Sequence, residues 1–320
     1  MKCLVTGAAG FIGSHLCERL LTLGREVVAV DSFTDYYPRA LKEANAAVLR
    51  ASAKCRFLEA DLLDCDLAKL LCDVEVVFHQ AAQAGVRASW GKEFDVYVAS
   101  NILATQRLLE AVKGTSVQRI VYASSSSVYG DVDTMPITED VLPRPISPYG
   151  VTKLAGEQLC QLYWVNYGVP VVSLRYFTVY GPRQRPDMAI HKFIRAMLKD
   201  EPIVVYGDGE QTRDFTFVSD VVDANLAAAQ AQAVGEVMNI AGGSLISVNE
   251  LIRTLEEILG KRAKVEYVSQ AKGDVRHTLA SITRARGLLG YEPRVPLEEG
   301  LRQEVDWYVA SRQLLDHISM

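Results

Sequence analysis

Apolar residues fall into two patterns in the first half of the chain, and the two patterns alternate. Short continuous apolar runs occupy residues 3–5, 27–30, 55–60, 74–79, 119–123 and 171–175. Between them lie stretches in which apolar residues recur at three- and four-residue steps, at 11–23, 41–49, 94–112 and 148–167. Continuous runs indicate strands buried on both faces, and the longer periodic stretches indicate amphipathic helices. The alternation predicts an α/β fold with a mostly parallel, doubly wound sheet and right-handed crossovers.

The second half of the chain is more mixed. A helix is predicted at 189–199 and a short strand at 203–206, and the runs 215–218 and 237–240 are predicted to return to the main sheet. The remainder is expected to form smaller elements that close over a ligand. Because no long flexible linker separates the two halves, we expect two interleaved domains.

Composition narrows the class of protein further. The 320 residues carry a net charge of −5 without a long basic run, so nothing favours binding to nucleic acid or to an anionic membrane surface. No apolar run is long enough to span a bilayer, and the chain enters a strand at once rather than a signal sequence. The six cysteines are scattered without metal-ligand spacing. We therefore expect reduced thiols, no metal site and a cytoplasmic location.

The first two dozen residues carry the most informative motif. Gly7, Gly10 and Gly13 stand at three-residue steps between the first strand and the first helix. Glycines in these places allow a tight turn, the approach of a phosphate to the backbone, and close packing of helix on sheet. The next strand ends in Asp31, an acid suited to the ribose hydroxyls of NAD and repulsive to the extra phosphate of NADP. An Asp31 that merely caps a turn is the alternative, but strand, turn, helix, strand and acid arrive in order. The sequence thus predicts an NAD site on a Rossmann-type domain.

Two later segments are further candidates for contact with the cofactor. Asp61 and Leu62 follow the third predicted strand, where a loop would meet the adenine; a helix cap at Asp61 is the competing interpretation. Small residues at 80–85 follow the next strand and would let backbone lie against a flat ring. His79, inside that strand, is interpreted as a structural core residue.

A tyrosine–lysine pair supplies the candidate chemistry. Tyr149 and Lys153 lie four residues apart at the start of the helix at 148–167, so their side chains share one face. A free tyrosine has a pKa of about 10, so at neutral pH it stays protonated and cannot serve as a base. A lysine cation and the positive nicotinamide ring would lower that pKa, and a serine from the run at 124–127 would bond the reacting oxygen. A surface pair at helical spacing is the alternative; downstream of the NAD motif, the pair predicts proton transfer.

These motifs together resemble the extended short-chain dehydrogenases/reductases, in the branch of nucleotide-sugar epimerases and dehydratases. The resemblance covers nearly the whole chain and rests on segments 6–13, 125–130, 149–153, 175–181 and 207–215. It implies that Tyr149 is the base, Lys153 its electrostatic partner and a ribose ligand, and Ser125 the assisting hydroxyl. Ser124 or Ser126 takes that role if the loop is shifted. The predicted cofactor-binding residues are Gly7, Gly10, Phe11, Ile12, Gly13, Asp31, Ser32, Asp61, Leu62, Gln80, Ala81, Ala82, Tyr149, Lys153, Tyr176 and Val179.

Arginines are the candidate ligands of the substrate diphosphate. In the family, arginines that match Arg213 and Arg276 hold the diphosphate of a sugar nucleotide, a role that suits a guanidinium fork. Surface salt bridges to Asp214 or Asp274 are the alternative. Arg87, in the loop after the strand at 74–79, either faces an anion or is simply solvated.

The serine run narrows the subfamily. Relatives that dehydrate or decarboxylate their sugar carry acids before Val-Tyr-Gly, where this chain has Ser126 and Ser127, so elimination and decarboxylation lack their proton-handling group. The segment 175–182 and the residues from Arg185 onward are similar to UDP-glucuronate 4-epimerases; glucose epimerases more usually have asparagine in place of Thr178. Hydroxyls of Ser126, Ser127 and Thr178 would bond the C6 carboxylate of the sugar. Arg185 would help to orient that carboxylate.

Three hypotheses on function follow. The first is NAD-dependent 4-epimerisation of UDP-glucuronate to UDP-galacturonate through a 4-keto sugar, with NAD tightly bound and regenerated in each cycle. The second keeps the chemistry and changes the sugar pair to UDP-glucose and UDP-galactose. The third is a non-catalytic NAD-sensing protein on the same fold.

Domain organisation and assembly are also predicted. Residues 1–175, with about 213–245, are predicted to form the NAD-binding domain, and 176–212 with 246–320 a smaller mixed α/β domain that binds the UDP-sugar. The resemblance implies a homodimer built on the helix that contains Asn101 and the helix of the catalytic tyrosine. Asn101 itself either braces the active site through backbone hydrogen bonds or is an ordinary polar residue.

Overall fold

A parallel sheet wrapped by helices forms the centre of the molecule, for which a computed structural model describes residues 1–269 and 273–318. The strands are β1 (Lys2–Thr6), β2 (Glu26–Asp31), β3 (Cys55–Glu59), β4 (Val76–His79), β5 (Arg119–Ser125), β6 (Val171–Tyr176), β7 (Thr178–Tyr180), β8 (Pro202–Tyr206), β9 (Thr212–Phe217), β10 (Glu236–Ile240), β11 (Leu245–Ser247) and β12 (Lys264–Val268). The α-helices are α1 (Phe11–Thr22), α2 (Arg39–Ala51), α3 (Leu67–Leu70), α4 (Phe94–Tyr97), α5 (Ala104–Val112), α6 (Pro148–Tyr167), α7 (Ala189–Lys199), α8 (Val218–Gln230), α9 (Val248–Leu259), α10 (Thr283–Leu289), α11 (Leu297–Ala310) and α12 (Arg312–Ile318).

The main sheet has seven strands in the order β10-β6-β5-β4-β1-β2-β3. Every neighbouring pair in it is parallel, with Val5 of β1 opposite Ala29 of β2 on one side and Phe78 of β4 on the other. The chain winds outward from β1 to β3 and then returns to continue from β4 in the other direction. This order is that of a doubly wound nucleotide-binding sheet, whose ligand crevice lies at the switch between β1 and β4. The predicted fold class is confirmed.

Successive residues of β1 enter two separate cores, one on each face of the sheet. Cys3 and Val5 pack with α1 residues such as Leu16, whereas Leu4 packs with Leu108 of α5 and Val28 of β2. A strand buried on both faces must be apolar at every position, which explains why the sequence shows continuous runs rather than alternation.

The second half of the chain departs from the prediction at one strand. The prediction that 215–218 rejoins the main sheet is wrong: β9 lies in a three-stranded sheet of order β11-β9-β7, and α8 begins at Val218. Local periodicity identifies a strand but not its partner, and β9 pairs with the short strand β7, which the sequence did not reveal. The run 237–240, in contrast, is β10 and pairs with β6 as predicted.

The remaining strands lie outside the main sheet. Strands β8 and β12 form a separate parallel pair, and α11 packs against β7, β9, α7 and α9. The division of the chain into two domains stays a prediction. None of the helices within the described ranges is both long and apolar enough to cross a membrane.

Candidate active site

The turn between β1 and α1 has the shape that a phosphate-binding turn requires. Gly7 has a φ of +69°, and a Cβ there would lie 2.8 Å from the backbone nitrogen of Ala81. A Cβ on Gly13 would lie 2.0 Å from the carbonyl oxygen of Gly7, so only glycine lets α1 approach the turn this closely. Gly10 precedes α1 and provides no side-chain cap. The first N–H groups of α1 are therefore available to an anion.

One cavity gathers the predicted cofactor residues at the carboxyl ends of β1, β2, β4, β5 and β6. Fifteen of the sixteen line it, namely Gly7, Gly10, Phe11, Ile12, Gly13, Asp31, Ser32, Asp61, Leu62, Gln80, Ala81, Ala82, Tyr149, Lys153 and Tyr176. Val179, the sixteenth, is the middle residue of β7 and is buried in the core rather than in the described lining. A cavity lined both by the acid at the end of β2 and by the tyrosine–lysine pair fits a dinucleotide.

The acids at the adenosine end of this cavity hold turns as well as facing it. Asp31 accepts hydrogen bonds from the backbone N–H of Ala9 (3.0 Å) and of Phe33 (2.8 Å). Each carboxylate oxygen keeps a second lone pair, so a ribose hydroxyl still finds an acceptor. Asp61 lines the cavity and holds a turn by accepting from the N–H of Leu63 (2.8 Å). The alternative of a helix cap at Asp61 is wrong, because Asp66 caps the next helix, α3.

The loop between β2 and α2 supplies cavity residues that the sequence analysis missed. Thr34, Tyr36, Tyr37 and Lys42 all line the cavity. Lys42 donates to the carbonyl oxygen of Thr34 (2.7 Å), and burial lowers its pKa. The one available signal was the cluster of tyrosines directly after the ribose-binding acid.

Tyr149 and Lys153 lie together on the first turns of α6, and both line the cavity. Ser147 caps this helix by accepting from the N–H of Gly150 (3.1 Å), and Pro148 occupies its first turn. Burial lowers the pKa of Lys153 to about 8, against smaller effects of nearby acidic groups that raise it.

Among the protein groups alone, the pKa of Tyr149 is raised rather than lowered, because burial outweighs the two interactions that favour the phenolate. Those two are with the Ser125 hydroxyl and with Arg185, not with Lys153. The groups that act to lower this pKa are therefore the predicted assisting hydroxyl of Ser125 and, to a smaller extent, Arg185, which the sequence analysis had given to the substrate.

The serine run divides into distinct structural roles. The hydroxyl of Ser124 donates to Glu157 (2.7 Å), which also holds Arg175, so this serine belongs to a buried network. Ser125 interacts with Tyr149 and accepts from the N–H of Ser127 (3.1 Å). The geometry favours Ser125 over Ser124 as the assisting hydroxyl.

Asn101 lies in a π-helical segment, Val98–Leu103, between α4 and α5. Its side chain accepts from the N–H of Gln83 (2.8 Å) and donates to the carbonyl oxygen of the same residue (3.0 Å) and to the hydroxyl of Thr152 (3.0 Å). It thereby ties the loop after β4 to α6, which agrees with the bracing interpretation. The predicted helix at 94–112 is thus continuous but locally widened, as is frequent near functional sites.

His79 is a core residue, as predicted. Its ring nitrogens pair with the hydroxyls of Thr6 (2.8 Å) and Thr105 (3.0 Å). Burial, reinforced by the charge of Lys153, lowers its pKa to about 3, so the ring is neutral at physiological pH.

A second cavity adjoins the first and gathers most of the predicted substrate residues. Ser126, Ser127 and Thr178 line it together with Arg213. The Arg213 guanidinium donates to the carbonyl oxygens of Thr212 (2.8 Å) and Arg276 (3.1 Å), and burial lowers its pKa. A half-buried guanidinium beside three hydroxyls is suited to an anionic ligand.

Two predicted arginines lie outside the lining of this cavity. Arg276 is half exposed and forms a surface salt bridge with Asp208 (2.8 Å). This agrees with the alternative interpretation, although the partner is neither Asp214 nor Asp274. Arg87 pairs with Asp274 (2.6 Å) and lies 4.0 Å above the ring of Tyr206. Asp274 itself lines the cavity, which places Arg87 at its rim.

Arg185 lies in the first cavity, beside Tyr149. It forms a two-bond ion pair with Asp187, at 2.9 and 3.0 Å. No group of three or more potential metal ligands occurs within residues 1–269 and 273–318.

The sheet order, the glycine turn and the buried tyrosine–lysine pair define an α/β protein of the short-chain dehydrogenase/reductase class. A model of the NAD-dependent epimerase/dehydratase family matches residues 3–241. The chain belongs to this family, which confirms the predicted resemblance and agrees with the predicted cofactor.

Individual relatives are similar over nearly the whole chain. The UDP-glucuronic acid 4-epimerase of Bacillus cereus, solved with UDP-glucuronic acid and NAD, is 48% identical, with a TM-score of 0.95, over 98% of this chain and 100% of that one. The UDP-glucuronate 4-epimerase of Thermodesulfobacterium geofontis is 40% identical over 99% of each chain. A Bacillus subtilis protein described as an uncharacterized UDP-glucose epimerase is 46% identical over 95% of this chain and 97% of its own.

Proposed function

We propose that the chain is an NAD-dependent UDP-glucuronate 4-epimerase, which interconverts UDP-glucuronate and UDP-galacturonate. The observation that carries the proposal is the second cavity, where hydroxyls of Ser126, Ser127 and Thr178 stand beside the half-buried cation of Arg213. Hydroxyls can bond a carboxylate without donating a proton to a leaving group, as elimination would require. The similarity to 4-epimerases of UDP-glucuronate supports the same conclusion.

The cofactor would lie between the glycine turn and α6. The N–H groups at the start of α1 would hold its pyrophosphate, Asp31 its adenosine ribose, and Lys153 the ribose next to the nicotinamide. When bound, NAD supplies a site that accepts a hydride from C4 of the sugar and returns it to the other face of the ring.

The protein's own part is to move one proton and to let the sugar turn. Tyr149 takes the proton of the C4 hydroxyl as general base and later returns it to the same oxygen. Ser125 holds that oxygen by a hydrogen bond, and the charge of Arg185 favours the phenolate. The turning sugar keeps its diphosphate on Arg213, so the nucleotide anchors the reaction.

The carboxylate needs its own restraint, because the 4-keto intermediate is a β-keto acid. Such an acid loses CO2 when the bond to the carboxylate aligns with the ketone π system. Hydroxyls of Ser126, Ser127 and Thr178 would hold the carboxylate out of that alignment, with Arg185 fixing it from the other side.

UDP-glucose/UDP-galactose 4-epimerisation is the second candidate, favoured by the description of the Bacillus subtilis relative. The two candidates differ in the group at C6, a carboxylate or a neutral hydroxymethyl. Relative rates on the two substrate pairs would decide between them.

The decisive experiment incubates the purified protein with UDP-glucuronate and reads the C4 configuration of the product by NMR. We expect a mixture of the two uronates without added NAD. The Tyr149→Phe variant should lose activity by about 10²–10⁴-fold while its fold and bound NAD remain. Conversion of UDP-glucose alone would favour the second candidate, and full activity of the variant would remove the mechanism.

We further propose a homodimer built on α6 and on the helices that flank the π-helical segment. An apolar stripe on α6 supports this assembly, since Val151, Leu162 and Val165 are 47, 52 and 68% exposed. Light scattering should give twice the mass of the chain, and Leu162→Glu should halve it.

A cytoplasmic location is the final part of the proposal. It is supported by the six cysteines, all of which are free thiols, as expected in a reducing compartment. Cell fractionation with detection of the protein would test it.

A further inference from the structure

Three polar side chains form a hydrogen-bonded chain at the cofactor cavity, and two of them, Arg185 and Tyr36, line it. The Arg185 guanidinium donates from Nε to Oδ1 of Asp187 (2.9 Å) and from Nη2 to Oδ2 (3.0 Å). The hydroxyl of Tyr36 donates to the same Oδ2 at 3.1 Å. The side chains of Arg185 and Asp187 are only 21 and 33% exposed, so the pair is more than two-thirds removed from solvent.

Separate parts of the fold have to meet for this chain to form. Tyr36 comes from the loop between β2 and α2, 151 residues before Asp187. The Tyr36 hydroxyl lies against Gly85, which has a φ of +103°. A Cβ at Gly85 would lie 2.0 Å from the Tyr36 oxygen. The glycine of this third segment thus leaves space for the Tyr36 side chain. An ion pair between two neighbouring residues of one loop would not need such a space.

The ion pair restricts which guanidinium atoms can bind a ligand. Nε and Nη2 are engaged by Asp187, and Nη1 has no hydrogen-bond partner within residues 1–269 and 273–318. Arg185 lines the cavity that also holds Tyr149. Nη1 is therefore the donor left for an anion that reaches this part of the site.

Asp187 is fully charged at neutral pH. Burial acts to raise its pKa, but the Arg185 guanidinium and the Tyr36 hydroxyl outweigh burial and hold that pKa below its usual range. The carboxylate thus remains a fixed acceptor whether or not a ligand is present.

We propose that Asp187 and Tyr36 are positioning residues that fix the orientation of Arg185 and thereby favour a sugar with a carboxylate at C6. The inference rests on the proposed function of the site. A guanidinium held by one edge meets the sugar carboxylate from one direction and loses little further freedom on binding. The same restraint keeps the carboxylate of the 4-keto sugar from turning into line with the ketone.

The test uses the NAD-loaded protein and two variants, Asp187→Asn and Tyr36→Phe. Calorimetry gives the Kd for UDP-glucuronate and for UDP-glucose, which lacks the carboxylate. Loss of one hydrogen bond to a charged group corresponds to roughly tenfold in affinity or more. We expect Asp187→Asn to weaken UDP-glucuronate by about tenfold and Tyr36→Phe by about threefold, with UDP-glucose unchanged within about twofold.

A second readout follows the fate of the keto acid. If the carboxylate turns into line, the C5–C6 bond breaks, CO2 leaves, and its electron pair stays on C5 as an enolate that then takes a proton. Both variants should therefore release more CO2 per turnover of UDP-glucuronate than the parent protein. A purely structural role would not change this ratio.

Matched controls remove the same groups elsewhere on the surface. Tyr267→Phe deletes an exposed hydroxyl that donates to Asn249 (3.0 Å), and Asp200→Asn neutralises an exposed carboxylate paired with Lys264 (2.7 Å). Neither control should change the affinity ratio or the CO2 yield.

The outcomes separate the two proposals. Failure of the parent protein to epimerise UDP-glucuronate would overturn the proposed function. Epimerisation by the parent, together with unchanged affinity ratio and CO2 yield in the variants, would overturn the positioning role alone, as would equal weakening of both sugars. If Asp187→Asn does not fold, Tyr36→Phe, which removes a single oxygen atom, decides the question by the same criteria.

Discussion

Replacing Glu157 by glutamine should destabilise the protein more than any surface charge change, because Glu157 compensates a buried cation. Its carboxylate accepts from Nε (2.9 Å) and Nη2 (2.6 Å) of Arg175 and from the hydroxyl of Ser124 (2.7 Å). The two charged side chains are 1 and 5% exposed. The guanidinium also lies 4.6 Å from the centre of the Tyr129 ring, and its Nη1 is already without a described partner.

The magnitude follows from the penalty of an uncompensated buried charge. Breaking a buried ion pair by removing one partner costs about 3–5 kcal/mol, because the remaining ion keeps its desolvation penalty. Glutamine preserves the shape, but its amide N–H₂ would face the donors of Arg175. With an unfolding entropy of about 2.1 cal/mol/K per residue, 320 residues give about 0.7 kcal/mol/K. We therefore expect Tm to fall by about 4–7 °C.

Calorimetric unfolding of three variants would test this reasoning. The matched control is Glu59→Gln, which breaks a similar two-bond pair with Arg39 (2.8 and 2.6 Å) whose side chains are 46 and 49% exposed. That control should leave Tm unchanged within experimental error. The double change Glu157→Leu with Arg175→Met should be more stable than Glu157→Gln alone, since it leaves no orphan charge. A Glu157→Gln shift no larger than that of the control would refute the argument.

Three further changes test the cofactor turn, the lysine and the phosphate ligand. Gly13→Ala should abolish NAD retention, measured as cofactor bound after gel filtration, because its Cβ would lie 2.0 Å from the Gly7 oxygen. Gly287→Ala, a helical glycine with nothing within 4 Å of an added Cβ, should bind NAD normally and gain up to about 1 kcal/mol of stability. The pKa of Lys153 in the folded state, about 8, is below its usual value. Above that pH the folded protein loses the Lys153 proton while the unfolded chain still binds it. The unfolding free energy should accordingly rise with pH from about 8 to 10, and Lys153→Met, followed by urea titration, should remove that rise. Arg213→Met should raise the Kd for free UDP by at least about tenfold in calorimetry, and an unchanged Kd would contradict its phosphate role.

Much of the site could be predicted because parallel strands bring their carboxyl ends to one edge. Gly7, Asp31 and Gln80 lie far apart in the chain, but each follows a strand of the same sheet and so each lines the same cavity. The spacing of Tyr149 and Lys153 on one helix fixes their common face in the same way. In these cases a local pattern and a simple topological rule together determine the geometry.

Two of the arginines that the sequence misplaced depend on contacts between loops. The partner of Arg276 is Asp208, 68 residues away, rather than either acid considered from the sequence. Arg185 lies beside Tyr149 because Asp187 and Tyr36 hold its loop over the first cavity. No periodicity reports such pairings, since loops adopt their paths from long-range contacts that a single sequence does not display.

The surroundings of the base fit a reaction that returns every proton it takes. Close to Lys153, the side chains of His79, Tyr122 and Cys160 are neutral at physiological pH, because burial lowers the pKa of His79 to about 3 and raises the pKa values of the other two. None of these three groups therefore takes up and keeps the proton from Tyr149 at neutral pH. A dehydrogenase that releases its product must discharge the proton taken by the tyrosine, whereas 4-epimerisation gives it back to the same oxygen within the turnover. Tyr149 therefore needs no route by which its proton leaves the site in the proposed reaction.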